Sequence, residues 1–137
     1  MTNKIFLDSN IIIYLYSGDE PQKKAIITNS LKEYEDIVIS TQVLFEFTHI
    51  IHKKYKIDYS IIEKALEEFY KSFDIALIKY DTIQMAIRIA KRYKYSFADS
   101  LIISTAIENG CEILYSEDMH SEHFIENFLR INNPFKS

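Results

Sequence analysis

Four acidic residues stand out by their settings: Asp8, Glu46, Asp99 and Asp118. Asp8 closes the apolar run Lys4-Ile5-Phe6-Leu7 and is followed by Ser9-Asn10. Each acid alone has an ordinary explanation. An Asp-x-Asn turn caps a helix, Ser96-x-x-Asp99 has the form of a capping box, Glu46 suits an exposed helical position, and Asp118 a loop. Gathered in one pocket, four carboxylates would repel one another unless divalent cations sat among them. Mg²⁺ and Mn²⁺ are hard ions that prefer oxygen ligands, and Mg²⁺ keeps water and substrate phosphate in its shell. Such a site activates water and stabilises the leaving oxygen of an in-line displacement at phosphorus. Asn10 and Ser116, each two residues from one of the acids, are placed to orient them from behind.

The pattern of elements predicts that these acids meet. Buried strands are expected at Lys4 to Leu7, Ile37 to Ile39, Ile75 to Ile78 and Glu112 to Tyr115, with a short fifth at Phe128 to Ile131. Helices are expected at Ile11 to Tyr16, from Pro21, and over 42–54, 59–71, 82–93 and 97–109, with Ser96 as a cap and Gly110 past an end. Continuous apolar strands alternating with helices indicate an α/β fold. The expected form is a three-layer α/β/α domain over 1–137, with a mostly parallel sheet of four to five strands. In such sheets ligands bind beyond the carboxyl ends of the strands, where strand order reverses. Asp8 ends a strand, Asp118 lies just past one, and Glu46 and Asp99 sit early in helices that start from that same edge.

Composition limits the function classes. With 47% hydrophobic and 14% aromatic residues the chain is not disordered. Two Gly and two Pro are too few for a turn-rich sandwich or barrel. The single cysteine, Cys111, has no internal disulfide partner and suits a small buried position, which points to a reducing, cytoplasmic setting. The first eight residues lack a signal-peptide pattern, and no apolar run approaches membrane-spanning length. A net charge of −4 argues against a nucleic-acid partner, except that carboxylates gathered to hold metal account for part of it.

The residues around the acids resemble those of PIN-domain proteins, in particular the VapC-like toxins of toxin–antitoxin systems. The matching stretches are Phe6-Leu7-Asp8-Ser9-Asn10, Ser40-Thr41-Gln42-Val43-Leu44-Phe45-Glu46-Phe47, Ser96-Phe97-Ala98-Asp99-Ser100-Leu101-Ile102 and Cys111-Glu112-Ile113-Leu114-Tyr115-Ser116-Glu117-Asp118. The closing Leu129-Arg130-Ile131-Asn132-Asn133-Pro134-Phe135 also fits, so the resemblance covers almost the whole chain. It implies that Asp8, Glu46, Asp99 and Asp118 match an acidic quartet, that the ion is Mg²⁺ or Mn²⁺, and that the substrate is RNA. It further implies a homodimer and a cognate antitoxin. One departure is His120, where many members carry a second acid two residues past the position of Asp118. Whether one or two metals bind stays open on that account.

Two other functions are weighed. In a phosphatase or phosphoacceptor domain Asp8 would be phosphorylated, but Asn10 stands where a phosphatase of that type needs a second Asp. A catalytically inactive PIN-like binding module would have no need of an intact quartet. His49, His52, His120 and His123 lack the spacing signature of a zinc site. For the RNA backbone, Arg92 and Lys94 are the expected contacts, because the chain must return to the acidic edge by Asp99. Lys53, Lys54 and Lys56 are explained by the preference of cations for a helix C-terminus.

Overall fold

Ile5, Phe6 and Leu7 have no exposed surface, and the reason is their place in the sheet. The computed structural model describes residues 3–136. In it β1 (Lys4–Leu7) is flanked on one side by β2 (Asp36–Ser40) and on the other by β4 (Ile113–Tyr115), parallel to both. A parallel strand covered on both faces is apolar at every position rather than at alternate ones. Beyond β2 lies β3 (Asp74–Ala76), and beyond β4 lies β6 (Leu129–Asn132), both again parallel. The edge strand β5 (Phe124–Ile125) pairs with β6 antiparallel, giving the order β3-β2-β1-β4-β6-β5.

This is the expected three-layer α/β/α architecture, with six strands instead of four or five. The added strand is two residues long. It is joined to β6 through Glu126 and Asn127, both at φ 53°, with the Phe128 amide donating to the Ile125 carbonyl at 3.0 Å. Positive φ at both central residues is what a tight hairpin of this hand requires. β3 spans Asp74–Ala76, so Leu77 and Ile78 of the expected strand fall outside it. β6 begins one residue later than expected, at Leu129.

Six helices complete the layers: α1 (Ser9–Tyr16), α2 (Pro21–Leu31), α3 (Thr41–Lys53), α4 (Tyr59–Ser72), α5 (Tyr80–Tyr93) and α6 (Phe97–Glu108). Pro21 opens α2, a position where its missing N–H costs nothing. α3 starts directly from β2, capped by Ser40 Oγ, which accepts from the Val43 amide at 3.2 Å. Its Val43, Phe47 and Ile51 turn inward, and Phe47 meets Phe69 of α4 edge-on at 5.0 Å. Burying side chains of this size stabilises by roughly 1.5–3 kcal/mol each. Cys111 is buried before β4, and burial pushes its thiol up to about 12, so it is an inert core residue.

Chain order steps from β1 to β2 to β3 on one side, then crosses to β4 on the other. The switch point therefore lies between the carboxyl ends of β1 and β4. There the Asp8 amide donates to the Tyr115 carbonyl at 3.0 Å and the Ser116 amide to the Asn132 carbonyl at 3.1 Å. Those bonds carry the ladder one residue past the strands and set Asp8 beside Ser116.

Candidate active site

The side chains of Asp8, Glu46, Asp99 and Asp118 line one cavity of about 290 Å³, together with Ser9, Phe45, His49 and Ile50. Four elements deliver them. Asp8 is the N-cap of α1, Glu46 lies in the second turn of α3, Asp99 in the first turn of α6, and Asp118 three residues past β4. No Lys or Arg is among the lining residues.

Asp8 is 5% exposed, and both its oxygens are held. The Ser9 amide donates to Oδ1 at 2.7 Å and Ser116 Oγ donates to Oδ2 at 2.8 Å. Burial nevertheless pushes its carboxyl up to about 7 against those two bonds, and the charges of Glu46 and Asp99 add to the rise. Burial also raises Asp99 despite help from Ser96, with Asp118 contributing. The Ser96 half of the capping pair is made, Ser96 Oγ accepting from the Asp99 amide at 3.1 Å. No reciprocal bond from the Ser96 amide to the Asp99 carboxylate is made among the described residues, and Asp99 lines the cavity.

Asn10 and Ser116 each hydrogen-bond to the acid on the other segment. Asn10 Nδ2 donates to Asp118 Oδ2 at 2.9 Å, while its Oδ1 accepts from the Glu117 amide at 3.3 Å. Ser116 Oγ also accepts from the Asp118 amide at 3.3 Å. An Asn10 committed in this way is a brace between α1 and the loop after β4.

Several contributors carry no recognisable sequence signal. Gln42 Nε2 donates to Glu46 Oε2 at 3.2 Å and to the Ala98 carbonyl at 3.0 Å, tying α3 to the start of α6 beside Asp99. Glu117 is clasped by Lys23 Nζ and Tyr14 Oη, each at 2.5 Å. Burial alone would raise the Glu117 carboxyl, but those two donors outweigh it and hold it low. The clasp fixes the loop that carries Asp118. A polar pair at Gln42 and Glu46 hints at an i, i+4 contact; Tyr14 and Lys23 are too far from Glu117 in sequence for any local pattern.

Arg92 and Lys94 do not line this cavity. Arg92 pairs with Glu126 at 3.0 Å and lines a separate pocket with Met85, Arg88 and Ile89. Lys94 is exposed at the end of α5, at φ 66°.

The donor set is all oxygen and unbalanced by any cation, and the charges of Glu46 and Asp99 add to the rise that burial gives Asp8, which suits a hard divalent ion. Among the described residues no three His, Cys, Asp or Glu side chains form a ready cluster around one point. The four carboxylates line one cavity without converging on a single point, so an ion there would need water to complete its shell.

A model of the PIN-domain family matches residues 5–124. The chain belongs to the PIN-domain family. Within it, the chain is 31% identical to Ribonuclease VapC2 of Methanocaldococcus jannaschii over 90% of its length and 92% of that protein's. The PIN fold recurs in a toxin–antitoxin complex from Klebsiella pneumoniae, with a TM-score of 0.73, 22% identity, and 97% and 99% of the two chains covered. It recurs also in VapC20 of Mycobacterium tuberculosis, described as a sarcin-ricin loop cleaving toxin, with a TM-score of 0.68, 16% identity, and 83% and 89% covered. No helix among the described residues is long and apolar enough to cross a membrane.

Proposed function

We propose that this PIN-domain protein is a divalent-metal-dependent endoribonuclease, the toxin of a toxin–antitoxin pair. The observation that carries the reading is the cavity of four carboxylates, free of Lys and Arg, at the switch point of the sheet. The relation to a protein named a ribonuclease supplies the substrate class.

Asp8, Glu46, Asp99 and Asp118 would hold the metal, Mg²⁺ or Mn²⁺. When bound, the ion supplies charge stabilisation at phosphorus and a more acidic water. The protein's own groups do the positioning. Ser9 and Ser116 fix the rotamer of Asp8, Asn10 that of Asp118, and Gln42 that of Glu46. Burial leaves Asp8 only partly ionised near neutral pH, so a cation bound there would favour its charged form and lower its pKa. Hydrolysis then breaks one P–O bond, with water adding to phosphorus and the ribose oxygen leaving. The start of α1, where Ser9 lines the cavity, favours a phosphate oxygen nearby.

A solved protein of the same fold is a toxin–antitoxin complex, and from it we infer a cognate antitoxin for this chain; a homodimer is what the family resemblance implies. The decisive experiment incubates purified protein with single-stranded RNA and Mg²⁺ or Mn²⁺. Cleavage that stops with EDTA and with Asp8→Asn is expected. Full cleavage in EDTA would overturn the metal mechanism, and no cleavage by the metal-loaded protein would overturn the ribonuclease reading.

A further inference from the structure

A second opening adjoins the carboxylate cavity, and the hydrolytic chemistry leaves it unused. It is a groove of about 720 Å³ along α3 and the turn into α4, and it shares Phe45 and His49 with the cavity. Its remaining lining includes His52, Lys53, Lys56 and Tyr59.

Phe45 precedes Glu46 in sequence and is 72% exposed. An aromatic ring of that size gains roughly 1.5–3 kcal/mol from burial, so leaving it at the mouth of a site needs a reason. The His49 ring lies nearly parallel to it, 8° from coplanar with centroids 6.3 Å apart. Further along, His52 and Tyr59 stack at 3.8 Å, and Tyr59 stays 59% exposed. His52 is fixed in that stack because its Nδ1 donates to the Ile57 carbonyl at 2.9 Å. Two aromatic–histidine pairs thus stand along one groove.

Charge points the same way. The chain carries −4 overall, and the carboxylate cavity holds no cation, yet the groove has Lys53 and Lys56. Asp58 is the acid among its lining residues, and that carboxylate is committed to Ser60 as the cap of α4. Lys54, by contrast, lies over the Tyr55 ring and outside the lining.

We propose that this groove seats the single-stranded RNA leading away from the bond cut at the carboxylates, with Phe45 stacking on a base and Lys53 and Lys56 on phosphates. The assignment rests on the ribonuclease reading and extends it. Aromatic faces paired with a basic track are how single strands are held without reading their sequence. The pocket around Arg92 shares no lining residue with the carboxylate cavity, and Glu126 already neutralises Arg92. That pocket is the poorer route for the strand.

The test measures binding of a short fluorescein-labelled single-stranded RNA by anisotropy, with Mg²⁺ present. Every protein carries Asp8→Asn so that the RNA survives. Phe45→Ala should weaken binding about tenfold, and Phe45→Trp should restore it. A 2-aminopurine base in the RNA should lose its quenching with Phe45→Ala. Lys53→Gln with Lys56→Asn should lower the salt slope by about 1.4, two single-strand contacts' worth. Asn is chosen because Lys56 sits at φ 59°, where Asn is tolerated. All these side chains are exposed, so melting temperatures should hold. Arg92→Gln with Lys94→Asn should change neither affinity nor slope. Unchanged RNA binding by the groove variants would overturn the proposal and leave the groove to a protein partner such as the antitoxin. If Asp8-intact protein cleaves RNA in that case, the ribonuclease reading survives alone. If it does not cleave RNA, both readings fall.

Discussion

Asp8 is asked to be two things at once: a helix cap buried at the switch point and a charged ligand. Its folded pKa of about 7 lies above the ordinary aspartate value of 3.8 because burial disfavours the charge, with Glu46 and Asp99 adding to the rise. The sign of the stability effect follows from proton counts. Between those two values the unfolded chain has released the proton and the folded protein still binds it. Stability of the metal-free protein therefore falls as pH rises from about 4 to about 7. The loss across that window is roughly 3 kcal/mol. Thermal melts in EDTA over this range should show wild-type stability dropping relative to Asp8→Asn, which cannot titrate. Parallel curves for the two proteins would mean that Asp8 is ionised without cost, and that its surroundings are more polar than the structure shows. Asp8 was legible in the sequence because it ends an apolar run and precedes Ser-Asn. Glu46 was legible through its place early in the helix that leaves β2 and through its resemblance setting, since a Glu on an amphipathic helix is otherwise commonplace. Gln42, Tyr14 and Lys23 were not legible as site residues, because each acts on a partner that only the fold brings near.

At the scale of elements, the helices and central strands followed their hydrophobic periods, and the misses concern turns. A chain with two glycines must make left-handed turns with other residues, and Lys56, Lys94, Glu122, Glu126 and Asn127 all have positive φ. Such turns carry no Gly-based signal, which is why the hairpin of β5 and β6 was read as one short strand. The groove beside the carboxylates escaped for the same reason: the turn at Lys56 brings Tyr59 of α4 onto His52 of α3. A left-handed residue with a Cβ carries about 1–2 kcal/mol of strain. Lys94, the C-cap of α5 at φ 66°, is the cleanest place to relieve it. Lys94→Gly should raise stability by about 0.5–1 kcal/mol, a gain of a few degrees in Tm. RNA cleavage should be unchanged, because Lys94 does not line the carboxylate cavity or the adjoining groove. A Tm gain accompanied by lost RNA affinity would restore Lys94 as a phosphate contact.

At the scale of the whole molecule, the strand order β3-β2-β1-β4-β6-β5 does the gathering. Reversal beside β1 opens a crevice between β1 and β4. The α3 and α6 N-termini reach the same edge because each helix serves a parallel strand. That much followed from the alternation of apolar strands and helices, and it is why four acids so distant in sequence line one cavity. The arrangement gathers part of the protein's net charge of −4 in one cavity with no Lys or Arg beside it. Folding must therefore work against this site, and a cation that binds only the folded form must return stability by mass action. At a hundred times its Kd the return is about 2.7 kcal/mol, or on the order of 8 °C for a domain of this size. Near pH 7, Mg²⁺ or Mn²⁺ should raise the wild-type Tm along a saturating curve. Simple screening of a negatively charged protein also stabilises, but it is unspecific and grows with ionic strength. Melts at matched ionic strength, with NaCl replacing the divalent salt, separate the two. Asp8→Asn should begin from a higher Tm in EDTA, since its burial carries no charge, and should respond to the divalent ion no more than to NaCl. If wild type also fails to distinguish Mg²⁺ or Mn²⁺ from NaCl, the carboxylates do not bind a divalent ion in the free protein, and the metal would have to arrive with the RNA phosphate.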